Sequence, residues 1–455
     1  MRRPGTLLLL LLSIVCIILL ARTFWNPVIR LDGHGYYAPL ASALFDHDFD
    51  LRNEFIHAEP FMRATYFERP DGRVVDPFAV GAALLWSPGL LLARAFDSDL
   101  PQRSSRSVRA GSIAYRQRYV RAMATMTALQ ALAGCVLLFI ALRHVAGVLA
   151  AGTGTVAAAL GTPLVYYALA QPSYAHAASF LAASALLLAV LRDRQKRVPI
   201  ALLGALWGLV AIVRWQDAIL GLIVAPRLLE EIATLQERPG STLRQLALFL
   251  ASALIVFSPQ LFFWNSVYGS AFVYTHRGFM KWTAPQVLPF LFSLWHGAFV
   301  YSPLLLLGSA GLLLLPDRRL RWAAVAALLL EIYACAAAGD WWGGGGFSAR
   351  RLTSVAPLAG LGVACLVTRA QQHTRVRGVR WRVAIVVACL GAASAWNLRL
   401  AHYNARGLLP FNPNVRRDYV RHYPRGDARR EIYSLWDYPR LLGEIVDAER
   451  ILWRR

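Results

Sequence analysis

Apolar residues in this chain fall in long unbroken runs separated by short polar stretches, not at the three- and four-residue spacing of a half-buried soluble helix. A run of about 17–25 apolar residues matches a hydrocarbon layer roughly 30 Å thick. The pattern predicts spans at 7–21, 120–142, 148–168, 174–191, 199–213, 218–229, 243–264, 290–315, 321–338, 353–369 and 383–400. That is an all-α polytopic membrane bundle of about eleven spans, within a range of 10–13, over residues 1–400. Residues 401–455, rich in Arg, Tyr and Trp, form a short extension too small for its own core, and a helix near Tyr438–Trp453 is expected to pack on the outer loops.

Loop charge sets the orientation. Arg2 and Arg3 precede the first run, and Leu19 stands where a cleaved signal needs a small residue, so the run predicts an uncleaved anchor with a cytoplasmic N-terminus. Arg143-His144, Arg192–Arg197, Glu230–Gln245, Asp317–Arg321 and Arg369–Arg382 then fall inside, and nearly all are basic. This orientation requires 78–96 to lie at the outer interface or dip and return, an option favoured by Trp86-Ser87-Pro88-Gly89 in its middle. Residues 22–119 then form one outer loop, at the cost of Arg103, Arg106, Arg109, Arg116 and Arg118 on the less favoured side. Two short helices, 199–213 and 218–229, joined at the outer surface would keep Arg214 and Asp217 out of the bilayer centre, where each costs about 2.5–3.5 kcal/mol.

Composition alters this picture little. The chain is 57% hydrophobic and 16% charged, with a formal net charge of +22. Its arginines are scattered through short loops, which argues against nucleic acid as a partner. The five cysteines all lie in apolar runs without ligand spacing, so neither a disulfide framework nor a zinc site is expected.

The chemistry-bearing residues gather in the predicted outer loops. In the first, Asp32-Gly33 precedes Tyr36, Tyr37, Leu40, Ala41, Leu44 and Phe45 at helical spacing, predicting an amphipathic helix in the interface with Asp32 at its N-terminus. Asp32 is either a helix cap or a general base held at headgroup height. Asp46, Asp48 and Glu54 follow. Leu51 and His57 occupy the positions where a calcium loop needs glycine and a bidentate glutamate. A D-x-D nucleotide-sugar signature would need a soluble domain for which the chain has no room. Local turn capping and a substrate-facing carboxylate surface both stay open for this stretch, as does a divalent metal, although none is required.

A second cluster runs from Gly339 through Asp340, Trp341, Trp342 and four glycines to Arg350 and Arg351. Four adjacent glycines suggest close backbone approach or mobility. The tryptophans fit an aromatic belt or a stacking platform for a sugar or isoprenoid. Outward-facing Arg350, Arg351 and Arg214 ask for an anionic partner, and a guanidinium fork suits phosphate. His176 and His276 are further candidates for contact with phosphate or acceptor.

Asp-Gly with paired tyrosines, D-x-D-x-D-L-x-N-E-F, Gly161-Thr162-Pro163-Leu164-Val165-Tyr166-Tyr167 with Ser173-Tyr174-Ala175-His176, and W-x-G-G…S-x-R-R occur here in one order. Over roughly residues 1–400 this order resembles the bacterial multi-span glycosyltransferases of the GT-C superfamily, which include protein O-mannosyltransferases and lipid A aminoarabinose transferases. The resemblance implies an acidic catalytic base in the first outer loop, here Asp32, although Gly33 replaces the usual adjacent acid. It implies an inverting transfer of a sugar from a polyprenyl-phosphate donor to a hydroxyl on a glycan, lipid or protein, at the periplasmic face of a bacterial inner membrane. Arg350, Arg351 and Arg214 would hold the donor phosphate, with Tyr36, Tyr37, Asp46, Asp48, Glu54, His176, His276, Asp340, Trp341 and Trp342 lining the substrate site. No cofactor is expected. A lipid or glycan transporter or flippase is the main alternative, and a non-catalytic scaffold a further one. A transporter would place ionisable residues at mid-span and show two related halves, and the chain shows neither, though Gln130 and Glu331 lie in or near spans.

Overall fold

The computed structural model describes residues 4–69, 72–98, 113–275, 278–293, 296–344, 346–372 and 380–406. Among them the regular backbone structure is helical, apart from two isolated bridges, Glu68–Val74 and Met280–Ala338. The principal helices are α1 (Pro4–Phe24), α2 (Gly33–Ala41), α3 (Gly81–Ala95), α4 (Gln117–Arg143), α5 (Val148–Leu160) and α6 (His176–Asp193). They continue as α7 (Ile200–Val213), α8 (Pro239–Tyr268), α9 (Pro303–Leu312), α10 (Arg318–Ala337), α11 (Ala356–Gln372) and α12 (Arg380–Ala405). Among the described residues, six helical stretches are long and apolar enough to cross a membrane, and four shorter apolar helices accompany them. The chain is an all-α, multi-pass membrane protein.

Several predicted spans are broken, each by identifiable chemistry. The 148–168 run ends as a helix at Leu160 and re-forms as a wide turn at Tyr166–Ala170, because Gly161 and Pro163 interrupt the backbone ladder. The 290–315 run splits into Val287–Phe292, Ala298–Tyr301 and α9. The 218–229 run is a tight 3₁₀ stretch, Trp215–Val224, leading into a helix at Ala225–Ala233. The expected C-terminal helix lies outside the described residues.

Within residues 78–96 the chain forms one helix, α3 (Gly81–Ala95), which continues through Pro88. Proline removes the N–H that would bond the Leu84 carbonyl, and the Ser87 hydroxyl donates to that oxygen instead at 2.7 Å. Trp86 is fully buried against α4, its indole N–H donating to Thr127 Oγ1 at 2.8 Å. The expected amphipathic helix at the first outer loop is corrected as well: every residue of α2 is buried. Tyr37 donates to the Ala114 carbonyl at 2.7 Å, and the Tyr36 ring lies 4.9 Å from that of Phe78. Asp76, Phe78 and Ala114 of the loop, together with Ser173, pack around α2, so both its faces are inside protein.

Helices approach closely where residues are small, as lipid-embedded packing requires. Carbonyls of Ala359 and Gly362 on α11 lie against Gly308 and Gly311 on α9. At one end of the bundle Arg194 binds Glu230 at 2.6 Å and Asp317 at 2.8 Å, while Arg197 binds Glu230 at 2.5 Å. Gln195 and His144 exchange two hydrogen bonds there. Four of the loops predicted to be cytoplasmic, those bearing His144, Arg194, Glu230 and Asp317, therefore meet one another. The loops bearing Asp32, Arg214 and Arg350 also meet one another.

Candidate active site

Asp32 occupies the N-cap position of α2, yet its side chain makes no cap bond. Its Oδ2 accepts from Arg350 Nη1 at 2.7 Å, across 318 positions of sequence. Arg350 opens the tight helical turn Arg350–Val355 and is buried, whereas the Asp32 carboxylate is about one-fifth exposed. The arginine is fixed from three further directions. Its Nε donates to the Gly343 carbonyl at 3.1 Å, its backbone N–H donates to the Ser348 carbonyl at 2.8 Å, and its guanidinium lies 4.8 Å from the centre of the Tyr174 ring.

The glycine loop is shaped to deliver this arginine. Gly343 and Gly344 have φ of +76° and +62°, values that favour residues without a Cβ. At Gly346 an added Cβ would lie 2.6 Å from Tyr167 Oη and 2.9 Å from Arg350 Cδ. Tyr167 in turn accepts from the Phe347 N–H at 2.6 Å, and the Ser348 N–H donates to His296 Nδ1 at 3.1 Å. Close approach, one of the two sequence expectations for these glycines, is what the loop displays.

Arg351 and Arg214 stand behind the pair. Arg351 grips Asp340 at 2.5 Å and also donates to the Asp340 carbonyl at 2.9 Å, which closes the loop on itself. Arg214 donates to the Arg351 carbonyl at 3.1 Å and pairs with Asp217 at 3.3 Å. Arg214 and Asp217 were expected at the outer surface; both are buried here, at the α7 junction, and their mutual neutralisation makes that burial tolerable. Below them Gln216 donates to Glu331 Oε2 at 2.8 Å. Tyr36 lies within the fields of Arg214, Asp32, Arg350 and Asp217, and burial raises its phenol pKa. His176 packs its ring 4.5 Å from Tyr167 at the start of α6, with the Arg214, Arg350 and Arg351 charges acting on it.

Other expected residues lie elsewhere. Asp48 turns back on its own loop, accepting from Ser42 Oγ at 3.0 Å and from the Asp50 N–H at 3.1 Å, which is the turn-capping alternative. Glu54 is fully buried; Asn53 Nδ2 donates to Asp46 at 2.6 Å and to Glu54 at 3.2 Å. Burial, then the hydrogen bond and charge of Asp46, push the Glu54 carboxyl up to about 9. The described contacts of Asp46, Asp48 and Glu54 link them to one another and not to Asp32. Among the described residues no group of three or more His, Cys, Asp or Glu side chains has metal-holding geometry. Tyr37 supports Ala114 rather than the site. Trp341 is buried and meets Trp342 edge-on at 5.6 Å, so it wedges the loop against the core rather than presenting an open ring face. His276 lies outside the described residues.

Four residues that the sequence reading did not place in the site belong to it. Tyr167 and Tyr174 sat within a quoted motif, and Glu331 stood out as an acid within an apolar run but was not linked to Asp32 and Arg350. Tyr66 left no signal. Burial and then the charges of Asp340 and Asp32 raise its phenol to about 12.

No family model matches the chain, and no curated protein matches it. Among solved structures it is similar to the apo crystal structure of the Archaeoglobus fulgidus oligosaccharyltransferase, at 14% identity and a TM-score of 0.47, covering 98% of this chain and 64% of that one. It is also similar to the archaeal oligosaccharyltransferase AglB from Archaeoglobus fulgidus in complex with an inhibitory peptide and a dolichol-phosphate, at 16% identity and a TM-score of 0.45, covering 94% of this chain and 61% of that one. A complex of the same oligosaccharyltransferase with Zn and sulfate gives 18% identity and a TM-score of 0.45, covering 95% of this chain and 61% of that one. This chain spans less than two thirds of the length of each of these structural neighbours.

Proposed function

We propose that the protein is an inverting GT-C-type glycosyltransferase that moves a sugar from a polyprenyl-phosphate donor to an acceptor hydroxyl at the outer face of a bacterial cytoplasmic membrane. The observation that carries this reading is the 2.7 Å pairing of Asp32 with Arg350 at the end of the bundle where the predicted outer loops converge. A partly exposed carboxylate and a buried guanidinium are thereby held side by side. The pair brings to one end of the bundle a carboxylate that can take a proton and a guanidinium that can receive developing negative charge. The substrate would enter between them, to be attacked on one face and released from the other.

In this reading Asp32 accepts the proton of the acceptor hydroxyl as that oxygen bonds to the anomeric carbon. The bond from that carbon to the phosphate oxygen breaks on the opposite side, and the electron pair leaves with the lipid phosphate. Arg350 stabilises the departing phosphate, while Arg351 and Arg214, each paired with its own carboxylate, hold the loop and the junction behind it. One displacement inverts the anomeric centre without a glycosyl-enzyme intermediate. Among the described residues only one oxygen of Asp32 is tied to Arg350, so the other remains for the incoming proton. No metal or other cofactor takes part in this scheme.

Glu331, the acid a transporter would need within a span, is bonded to Gln216 at the floor of this same site, which favours a supporting role there. The test is Asp32→Asn in purified protein, supplied with a polyprenyl-phosphate sugar and assayed for release of lipid phosphate. General-base loss is expected to lower turnover by about 10²–10⁴-fold. Turnover at the wild-type rate would remove Asp32 from the chemistry.

A further inference from the structure

A second arginine-bearing recess lies apart from the Asp32–Arg350 pair. A cavity of about 520 Å³ opens between the first outer loop and the chain leaving α8, with Arg69 and Arg73 on one wall and Tyr268, Phe272, Tyr274 and Thr275 on the other. The arginine wall is a turn: the Arg69 N–H donates to the Arg73 carbonyl at 2.9 Å, and Gly72 has φ of +79°. Arg69 also stacks over the Tyr268 ring, 5.6 Å from its centre, while Thr275 Oγ1 donates to the Pro77 carbonyl at 3.3 Å. The two walls are therefore fastened to each other around an open space.

The recess sits where α8 ends. Ile255 and Phe262, on the flank of α8, are 72% and 64% exposed, as expected of a surface facing lipid tails. Just beyond the helix, on the side of the Asp32 loop, Phe272 and Tyr274 are 79% and 55% exposed. Arginines that snorkel beside an aromatic belt could arise without any ligand. A belt does not, however, arrange two guanidinium side chains on one wall of a cavity with apolar rings on the facing wall. Positive-inside logic also gives no reason for arginines on this side.

We propose that this cavity binds the phosphate of an anionic lipid headgroup, with Arg69 and Arg73 on the phosphate oxygens and Phe272 and Tyr274 against the first carbons of the chain. Guanidinium forks match phosphate geometry, and the apolar wall gives a lipid an advantage over free phosphate. The chain that forms the apolar wall continues to Lys281, whose N–H donates to the Ala337 carbonyl at 2.6 Å, beside the Gly339–Asp340 loop. Headgroup binding thus braces the segment that leads to the loop holding Arg351.

The test is binding by the full-length protein in zwitterionic detergent, titrated separately with dioctanoyl phosphatidylglycerol, farnesyl phosphate and inorganic phosphate. The Arg69→Gln/Arg73→Gln variant is expected to weaken at least one lipid by roughly ten- to a hundredfold. Loss confined to farnesyl phosphate identifies a site for the isoprenyl carrier, and loss of both lipids identifies a general headgroup site. Phe272→Ser, at an exposed position, should weaken the lipids and leave inorganic phosphate unchanged. Lipid binding unaltered by the arginine changes overturns the site, and inorganic phosphate binding as tightly as the lipids overturns its lipid character. Should the double glutamine variant fail to fold, Phe272→Ser and Arg69→Lys/Arg73→Lys carry the same test. The readout is binding alone, so its failure and that of the transfer reading are separate events.

Discussion

Glu54 illustrates how one buried side chain can couple a loop to pH. Its carboxyl, beside Asp46 and away from water, is raised from an ordinary value of 4.5 to about 9. The folded protein therefore holds a proton that the unfolded chain releases. The stability tied to that proton is complete below about pH 4.5 and is lost progressively as pH rises through about 9. Thermal unfolding in detergent should thus show a melting temperature that falls between pH 5 and 9. Glu54→Gln, which keeps the shape and the neutral charge, should flatten that decline; equal slopes in both proteins would contradict the assignment. Sequence inspection identified Glu54 and Asp46 as polar and near each other, but not that a shared burial makes one of them neutral. Asp32 drew attention as an acid at the head of a predicted helix in the first outer loop. Its pairing with Arg350 was not legible, since no local rule links two residues 318 positions apart.

Secondary elements depend on contacts no wider than a methyl group. Gly308 on α9 faces the Ala359 carbonyl of α11 so closely that a side chain there must displace backbone. Gly308→Leu is expected to cost about 1–3 kcal/mol or more in stability, seen as a lower melting temperature or poor expression in membranes. Gly346→Ala should act differently. It presses on Tyr167 Oη and Arg350 Cδ within the loop, so transfer should fall by an order of magnitude or more while the melting temperature changes little. Full activity in the Gly346→Ala variant would mean that the loop relaxes freely around Arg350. Long uniform spans such as α4 and α8 were readable from hydropathy, as was a break at Arg214, though not the burial of that residue. The division of 290–315 into three pieces was not, because glycine, serine and proline within an apolar run are compatible with both a kinked span and a broken one. The surface placement expected for α2 failed for a related reason. Its apolar periodicity shows that one face is buried, but it cannot show that the rest of the loop closes over the other.

Across the whole molecule, two ends are distinguished by chemistry. One is laced by Arg194, Arg197, Glu230 and Asp317, the other by the Asp32, Arg214 and Arg350 network. Accessible single cysteines at Asn53, Gln195 and Gly344, probed in intact cells, should label 53 and 344 from outside and 195 only after permeabilisation. Labelling of 344 from the inside would place Asp32 and Arg350 on opposite sides of the bilayer, in conflict with their direct bond. Amino-acid order alone determined that this chain is an all-α membrane protein and where its long apolar helices lie, because water and lipid sort residues by transfer free energy without reference to their neighbours. Only the tertiary structure decided that Asp32 meets Arg350, that Arg351 is spent on Asp340, and that Asp46 and Glu54 hold a loop together. Those outcomes depend on which charges become neighbours when the helices pack, and burial then forces each charge to find a partner or give up its ionisation.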